Sequence, residues 1–332
     1  MNTGLLPLRL LALFTLLVSS AYSAPADADV KLTRLSDRVR VEIGGQLFTE
    51  YIFKGAPRPF LHPILAADGT QLTRNFPMET TEGEEIDHPH HRSLWFTHGA
   101  VNGVDFWTEG TGKGTIVSDS VEHRADQKAG TIQARNRWVT PDGKLVCTDE
   151  TVIRFFALAE GRFLDYEVTL HALPGETLVL GDTKEGSMAI RLAQWMTMTH
   201  KYQKREVEGQ GHAVNDSGVR DASAWGKRAA WVDYYAPRNG QIYGVAVFDH
   251  PSNPRHPTWW HVRDYGLFAA NPFGQHDFEG TKEQPLPKNT GDLVVPAGGS
   301  VTFRYRFYFH TGDEKIARVA QMFDAYAADN KK

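Results

Sequence analysis

Four of the 14 histidines of this chain fall between His88 and His98, and histidine is the side chain best suited to moving protons near neutral pH. Three sit in Asp87-His88-Pro89-His90-His91-Arg92, which leads through Ser93–Gly99, with His98, to Asn102-Gly103-Val104-Asp105-Phe106-Trp107. Imidazole is costly to bury without partners. A lone histidine reads as surface, whereas titratable groups in a cluster point to a site. Two chemistries fit. In the acid–base reading, His90 and His91 exchange protons with a substrate oxygen and Arg92 clamps an anion or hydroxyl. In the metal reading, His88, His90 and His91 supply nitrogens beside Asp87, Asp105 or Glu85, so a divalent metal is possible, although no known metal motif is present. If Pro89–His91 runs extended, His88, His90 and Arg92 face one way and His91, Ser93 and Trp95 the other. Trp95 and Trp107 offer flat faces to a substrate or to a core, and Trp95 and His98 are counted with the binding residues.

Two further segments carry similar groups. Lys184-Glu185-Gly186-Ser187-Met188 places Glu185 at the entrance of a strand-like run that contains Arg191. The stretch 248–274 holds His250, His256 and His261, with His276 just beyond it. Its prolines at 251, 254 and 257 stiffen a long loop. Aromatics interleaved with Asn, Arg, Asp and His suit a sugar, whose C–H face packs on rings while its hydroxyls take polar groups. His261, Asp264 and Asn271 therefore complete the site, and Trp259 or Trp260 serves as a stacking platform. The two His-rich segments are about 150 residues apart in sequence, and they are expected to approach within about 10 Å, the reach of an ordinary small-ligand pocket, with Glu185 or Arg191 in the same cavity. No nucleophile elbow, phosphate loop or dinucleotide fingerprint is present.

The elements that must position these groups read as β. Val39, Val41 and Ile43 alternate with charged residues, and Val301, Phe303, Tyr305, Phe307 and Phe309 alternate with Thr302, Arg304, Arg306, Tyr308 and His310. Gly- and Pro-containing turns separate such runs. This predicts an all-β antiparallel sandwich with long loops on one face. Asp313 caps one predicted helix, whose apolar stripe runs through Ile316, Val319, Ala320, Phe323 and Tyr326. Residues 1–23 read as a signal peptide: Arg9, an apolar run from Leu10 to Val18, then small residues. Residues 24–332 then form one β-sandwich domain, periplasmic or secreted. No later segment is long enough for a membrane span. The net charge of -4 is interspersed, which argues against nucleic acid. Cys147 is the only cysteine, so neither a disulfide nor a Cys-based metal site is available.

Asp87–Trp107, Glu185–Arg191 and Phe248–Gly274 resemble a bacterial family labelled PmoA-like, over most of the mature chain. Methane monooxygenase subunits of that label span the membrane, whereas this sequence offers no spanning segment beyond its expected signal peptide. The pattern also resembles the galactose-mutarotase-type supersandwich, which implies one or two histidines paired with a carboxylate in a sugar groove. The leading expectation is an exported carbohydrate-active enzyme performing glycoside cleavage, lyase or epimerase chemistry on a carbohydrate or oligosaccharide, without a cofactor. A metal-dependent oxidoreductase and a non-catalytic glycan-binding protein are the alternatives.

Overall fold

A computed structural model describes Met1, residues 28–202 and residues 204–329. The signal-peptide expectation lies, but for Met1, outside the described residues. One sheet has nine strands in the order Val30–Arg34, Arg38–Ile43, Gln46–Ile52, Phe60–Leu61, Leu94–His98, Gly186–Arg191, Leu267–Asn271, Thr258–Val262 and Arg228–Ala229. A second large sheet has eight: His212–Asn215, Trp231–Arg238, Gln241–Asp249, Ser300–Thr311, Gly161–Ala172, Leu145–Leu158, Ala129–Val139 and Thr115–Ala125. Neighbouring strands are antiparallel throughout both.

The two sheets pack face to face, as the all-β prediction requires. Phe48 of the first sheet meets Phe155 and Phe309 of the second edge-on, at centroid distances of 6.2 and 5.4 Å. Phe96 meets Trp138, Tyr166 and Phe303 at 6.4, 6.4 and 6.2 Å. Burial of these rings drives the association, and the edge-on geometry of the Phe48 pairs and of Phe96 with Trp138 adds quadrupolar attraction. In Leu145–Leu158 the odd positions from Cys147 to Ala157 are buried, while Glu150 and Arg154 are exposed. One face of that strand meets the core and the other meets water.

Thr258–Val262 and Leu267–Asn271 correct the expectation of a long presenting loop. Both are central strands buried at every position, as are Leu94–His98 and Gly186–Arg191. One face of these strands meets the sandwich core and the other is covered by loops. Their sequences therefore do not alternate, and the runs read as irregular. The C-terminal helix is Val319–Ala328, and Val319 and Tyr326 pack on Phe163, Phe248 and Tyr308 across the outside of the eight-stranded sheet. Asp313 instead caps a preceding turn, accepting from the amides of Lys315 and Ile316 at 3.1 and 2.9 Å. Ile316 consequently lies outside the helix and is exposed. No helix among the described residues is long and apolar enough to cross a membrane.

Candidate functional site

Directly opposed residues of an antiparallel pair project from the same face of the sheet. Trp95 opposes Ala189, Ala189 opposes Ala269, and Ala269 opposes His261. Phe96 points into the sandwich, so this row lies on the outer face. Two alanines between a tryptophan and a histidine leave a trough. Above it lies a cavity of about 600 Å³ whose walls include His88, His90, His91, Glu185, His261 and Asp264. The two His-rich segments meet here, as expected: the His88 ring stacks on Tyr265 at 5.3 Å. Glu185 shares the cavity. Arg191 lies beneath it, 1% exposed.

The loop that carries the histidines turns instead of running extended. The His91 amide donates to the His88 carbonyl at 3.0 Å. All three histidines therefore reach one cavity, which corrects the alternation expected from an extended run. Three buried arginines fix the turn. Arg74 donates to the carbonyls of Asp87 and His88 at 2.9 and 3.0 Å and to the Asp87 carboxylate. Arg58 donates to the carbonyls of His90, Phe106 and Trp107 at 3.1, 3.1 and 2.7 Å. Arg191 donates to Asp87 at 3.0 Å. Sequence reasoning missed Arg58 and Arg74, because nothing local distinguishes them from solvated arginines. Tyr265, His88, His91 and Trp95 form a column of near-parallel rings, with successive centroids 5.3, 4.8 and 5.5 Å apart.

The hydrogen bonds assign opposite roles to two of the histidines. A guanidinium only donates, so Nδ1 of His91, 3.3 Å from Arg191 Nη1, is the bare nitrogen and the proton sits on Nε2. A carbonyl only accepts, so Nδ1 of His261 donates to the Lys184 carbonyl at 2.9 Å and Nε2 is bare. That Nε2 is buried without a hydrogen-bond partner. Burial pushes the His261 pKa down to about 4, against the pull of Glu185. Burial, with Arg58 and His88, also lowers His90 to about 4. Burial and the adjacent Arg191 hold His91 well below the usual imidazole range. All three are neutral at pH 7. For Asp87, burial opposes ionisation, but the bond from His88 and the charges of Arg191 and Arg74 outweigh it and hold the carboxyl below its ordinary value. Unpartnered buried polar atoms gather around this cavity: Trp95 Nε1, Trp107 Nε1, Ser187 Oγ and the Nε atoms of Arg58 and Arg191, besides His261 Nε2.

Several predicted site residues lie elsewhere. Arg92 forms a two-pronged pair with Glu109 at 2.8 Å and does not line the cavity, so it is not a free clamp. His98 has the strand parity of Phe96, points into the sandwich against Phe273 at 4.4 Å, and bonds the Gly181 carbonyl at 2.7 Å. Trp260 is a core residue that packs on Phe268. Trp259 is 3% exposed and engages Glu279 and the Arg228 guanidinium. Neither is a stacking platform, and Trp95 lies covered beneath His91. Asn271 is fully buried, donates to the Thr183 carbonyl at 2.9 Å and accepts from the amides of Phe273 and Gly274. It orders the following turn. Among the described residues no three His, Cys, Asp or Glu side chains converge as a metal site. His88 Nδ1 faces Asp87 at 2.5 Å and His91 Nδ1 faces Arg191, so the histidines stack and do not converge.

Solved structures similar to this chain include galactose 1-epimerase from Lactobacillus acidophilus, at TM-score 0.40 and 8% identity, covering 87% of this chain and 100% of that one. A galactose mutarotase-like protein from Lactobacillus casei matches at TM-score 0.38 and 9% identity, covering 85% and 100%. An α-galactosidase from Lactobacillus brevis matches at TM-score 0.39 and 9% identity, covering 85% of this chain and only 39% of its own length. At these values the similarities say nothing of substrate. No curated protein matches the sequence. The PmoA-like label is not supported, for the family model that matches is another one. That model, the family of unknown function DUF6807, covers residues 38–324, and the chain belongs to this family.

Proposed function

We propose that this protein is an exported carbohydrate-active enzyme whose cavity carries out proton transfer of the lyase or epimerase type. The observation that carries the reading is the opposed pair of neutral imidazoles on one cavity, His91 with its proton on Nε2 and His261 with Nε2 bare. His261 takes a proton from the substrate, and Glu185 stabilises the imidazolium that forms. His91 donates a hydrogen bond to the oxygen where negative charge develops. The proton then returns to the substrate in an epimerase, or goes to the leaving group in a lyase. His90 is a second base in the same wall. Glycoside hydrolysis fits less well, because it needs an acid held protonated near neutral pH. A sugar suits the walls, where Glu85, Asp264 and Arg263 reach hydroxyls. Export rests on the leader sequence.

Incubation with plant and algal oligosaccharides in D2O, read by NMR and mass spectrometry, tests the reading. Epimerisation or elimination places deuterium at a sugar carbon or yields an unsaturated product. His91→Ala and His261→Ala are expected to slow turnover by roughly 10²–10⁴-fold, the range of a lost acid–base group. Saturable binding with neither product nor deuterium uptake would make this a glycan-binding protein. Undiminished turnover in both variants would remove the histidines from the mechanism.

A further inference from the structure

We infer that the substrate is an oligosaccharide whose uncharged units extend from the histidine cavity into a second one, a conclusion that rests on the carbohydrate reading above. The second cavity measures about 830 Å³ and shares His200 with the first. The loop before the histidines runs along both, with Glu84 lining one and Glu85 the other. Each volume lies within the roughly 300–1,000 Å³ of small-ligand pockets, so together they exceed the needs of one sugar ring.

The second cavity has the parts of a sugar subsite. Trp195 is half-buried in its wall, and its orientation is set by a bond from Nε1 to the Gln71 carbonyl at 3.1 Å and by the edge of Tyr243 at 5.8 Å. The Arg238 guanidinium lies over the indole at 4.9 Å. Arg238 is exposed, and among the described residues its side chain has no hydrogen bond and no ion pair. The guanidinium covers one face of the indole, so the stacked pair offers the remaining aromatic surface and a fork of donors for hydroxyls. Asp68, Glu82 and Glu84 line the same space. Three carboxylates against one guanidinium repel an acidic sugar and accept hydrogen bonds from a neutral one.

The test is calorimetric titration of the full chain with neutral gluco-, galacto-, manno- and xylo-configured sugars, from monosaccharides to pentamers, and with oligogalacturonides. Affinity is expected to rise with length for one neutral series. Trp195→Ala is expected to weaken the longer members by about tenfold, the size of one aromatic contact, and to leave the shortest binder unchanged. Arg238→Ala, at an exposed position, should act in the same sense and guards against a folding defect in the first variant. Length-independent affinity, or longer members unaffected by both variants, overturns the extension while the carbohydrate reading stands. Preference for oligogalacturonides overturns the uncharged assignment. Failure of every sugar to bind overturns the reading beneath it.

Discussion

Nη1 of Arg191 lies 3.3 Å from Nδ1 of His91, and both residues are 1% exposed. Because the guanidinium has only hydrogens to offer, this contact selects the Nε2–H tautomer of His91. In the resulting neutral form the ring donates into the cavity without carrying charge.

The tautomer is directly measurable. Long-range 1H–15N spectra of protein labelled at histidine are expected to show His91 as Nε2–H and His261 as Nδ1–H at pH 7. Arg191→Lys keeps the charge but loses the fork that bridges His91 and Asp87, and should leave His91 a mixture of tautomers. Finding Nδ1–H at His91 in the unaltered protein would contradict the assigned roles.

Asp87 carries a structural load. It faces Arg74 and Arg191, each 1% exposed, and is itself partly solvated. Asp87→Asn keeps the shape and removes the charge, leaving Glu85 at 4.0 Å as the remaining counter-charge of Arg191. The expected loss is roughly 2–3 kcal/mol, at or below the low end for removing one partner of a buried ion pair because Asp87 is partly screened by water. Urea denaturation measures it. An unchanged midpoint would mean that the two guanidiniums are compensated elsewhere.

The sandwich was legible where one face of a strand meets water. The alternation at Val301–Phe309 and its neighbours reports a single buried side, and Ser300–Thr311 forms there. It was not legible at Thr258–Val262 or Leu267–Asn271, where both faces are covered and the period of two vanishes. The histidine cluster was legible by residue type, but the sorting within it was not. His91 and His98 look alike in sequence, yet one comes from a turn above the sheet and the other has the parity of Phe96, toward the core. Arg58, Arg74 and Arg92 are likewise indistinguishable until tertiary packing decides which carbonyls and carboxylates each one meets.

Acid should destabilise this fold in a definite window. His62, His98 and His261 are buried, and burial lowers each to about 4 from 6.5. Between those two values the unfolded chain binds protons that the folded chain refuses, so stability falls as pH drops through 6.5 and goes on falling toward 4. One fully buried histidine of this kind carries on the order of 3 kcal/mol across the window. Asp149 and Asp249 act in the opposite sense, since burial holds them above their usual range and acid relieves them. Asp87, held low, gives up its contribution only below the window. Asp182 is raised in the same way as Asp149 and Asp249, and against these three carboxyls stand six lowered histidines, with His90, His91 and His250 counted, so the net slope is positive with pH. His62 isolates the effect, because both of its ring nitrogens are buried without hydrogen-bond partners and it stands outside the cavity. His62→Leu should flatten the loss of stability between pH 7 and pH 4.5 by a measurable part of that 3 kcal/mol. Chemical denaturation of both proteins at the two pH values decides it, and parallel losses would show that His62 takes up a proton in the folded state as readily as in the unfolded one.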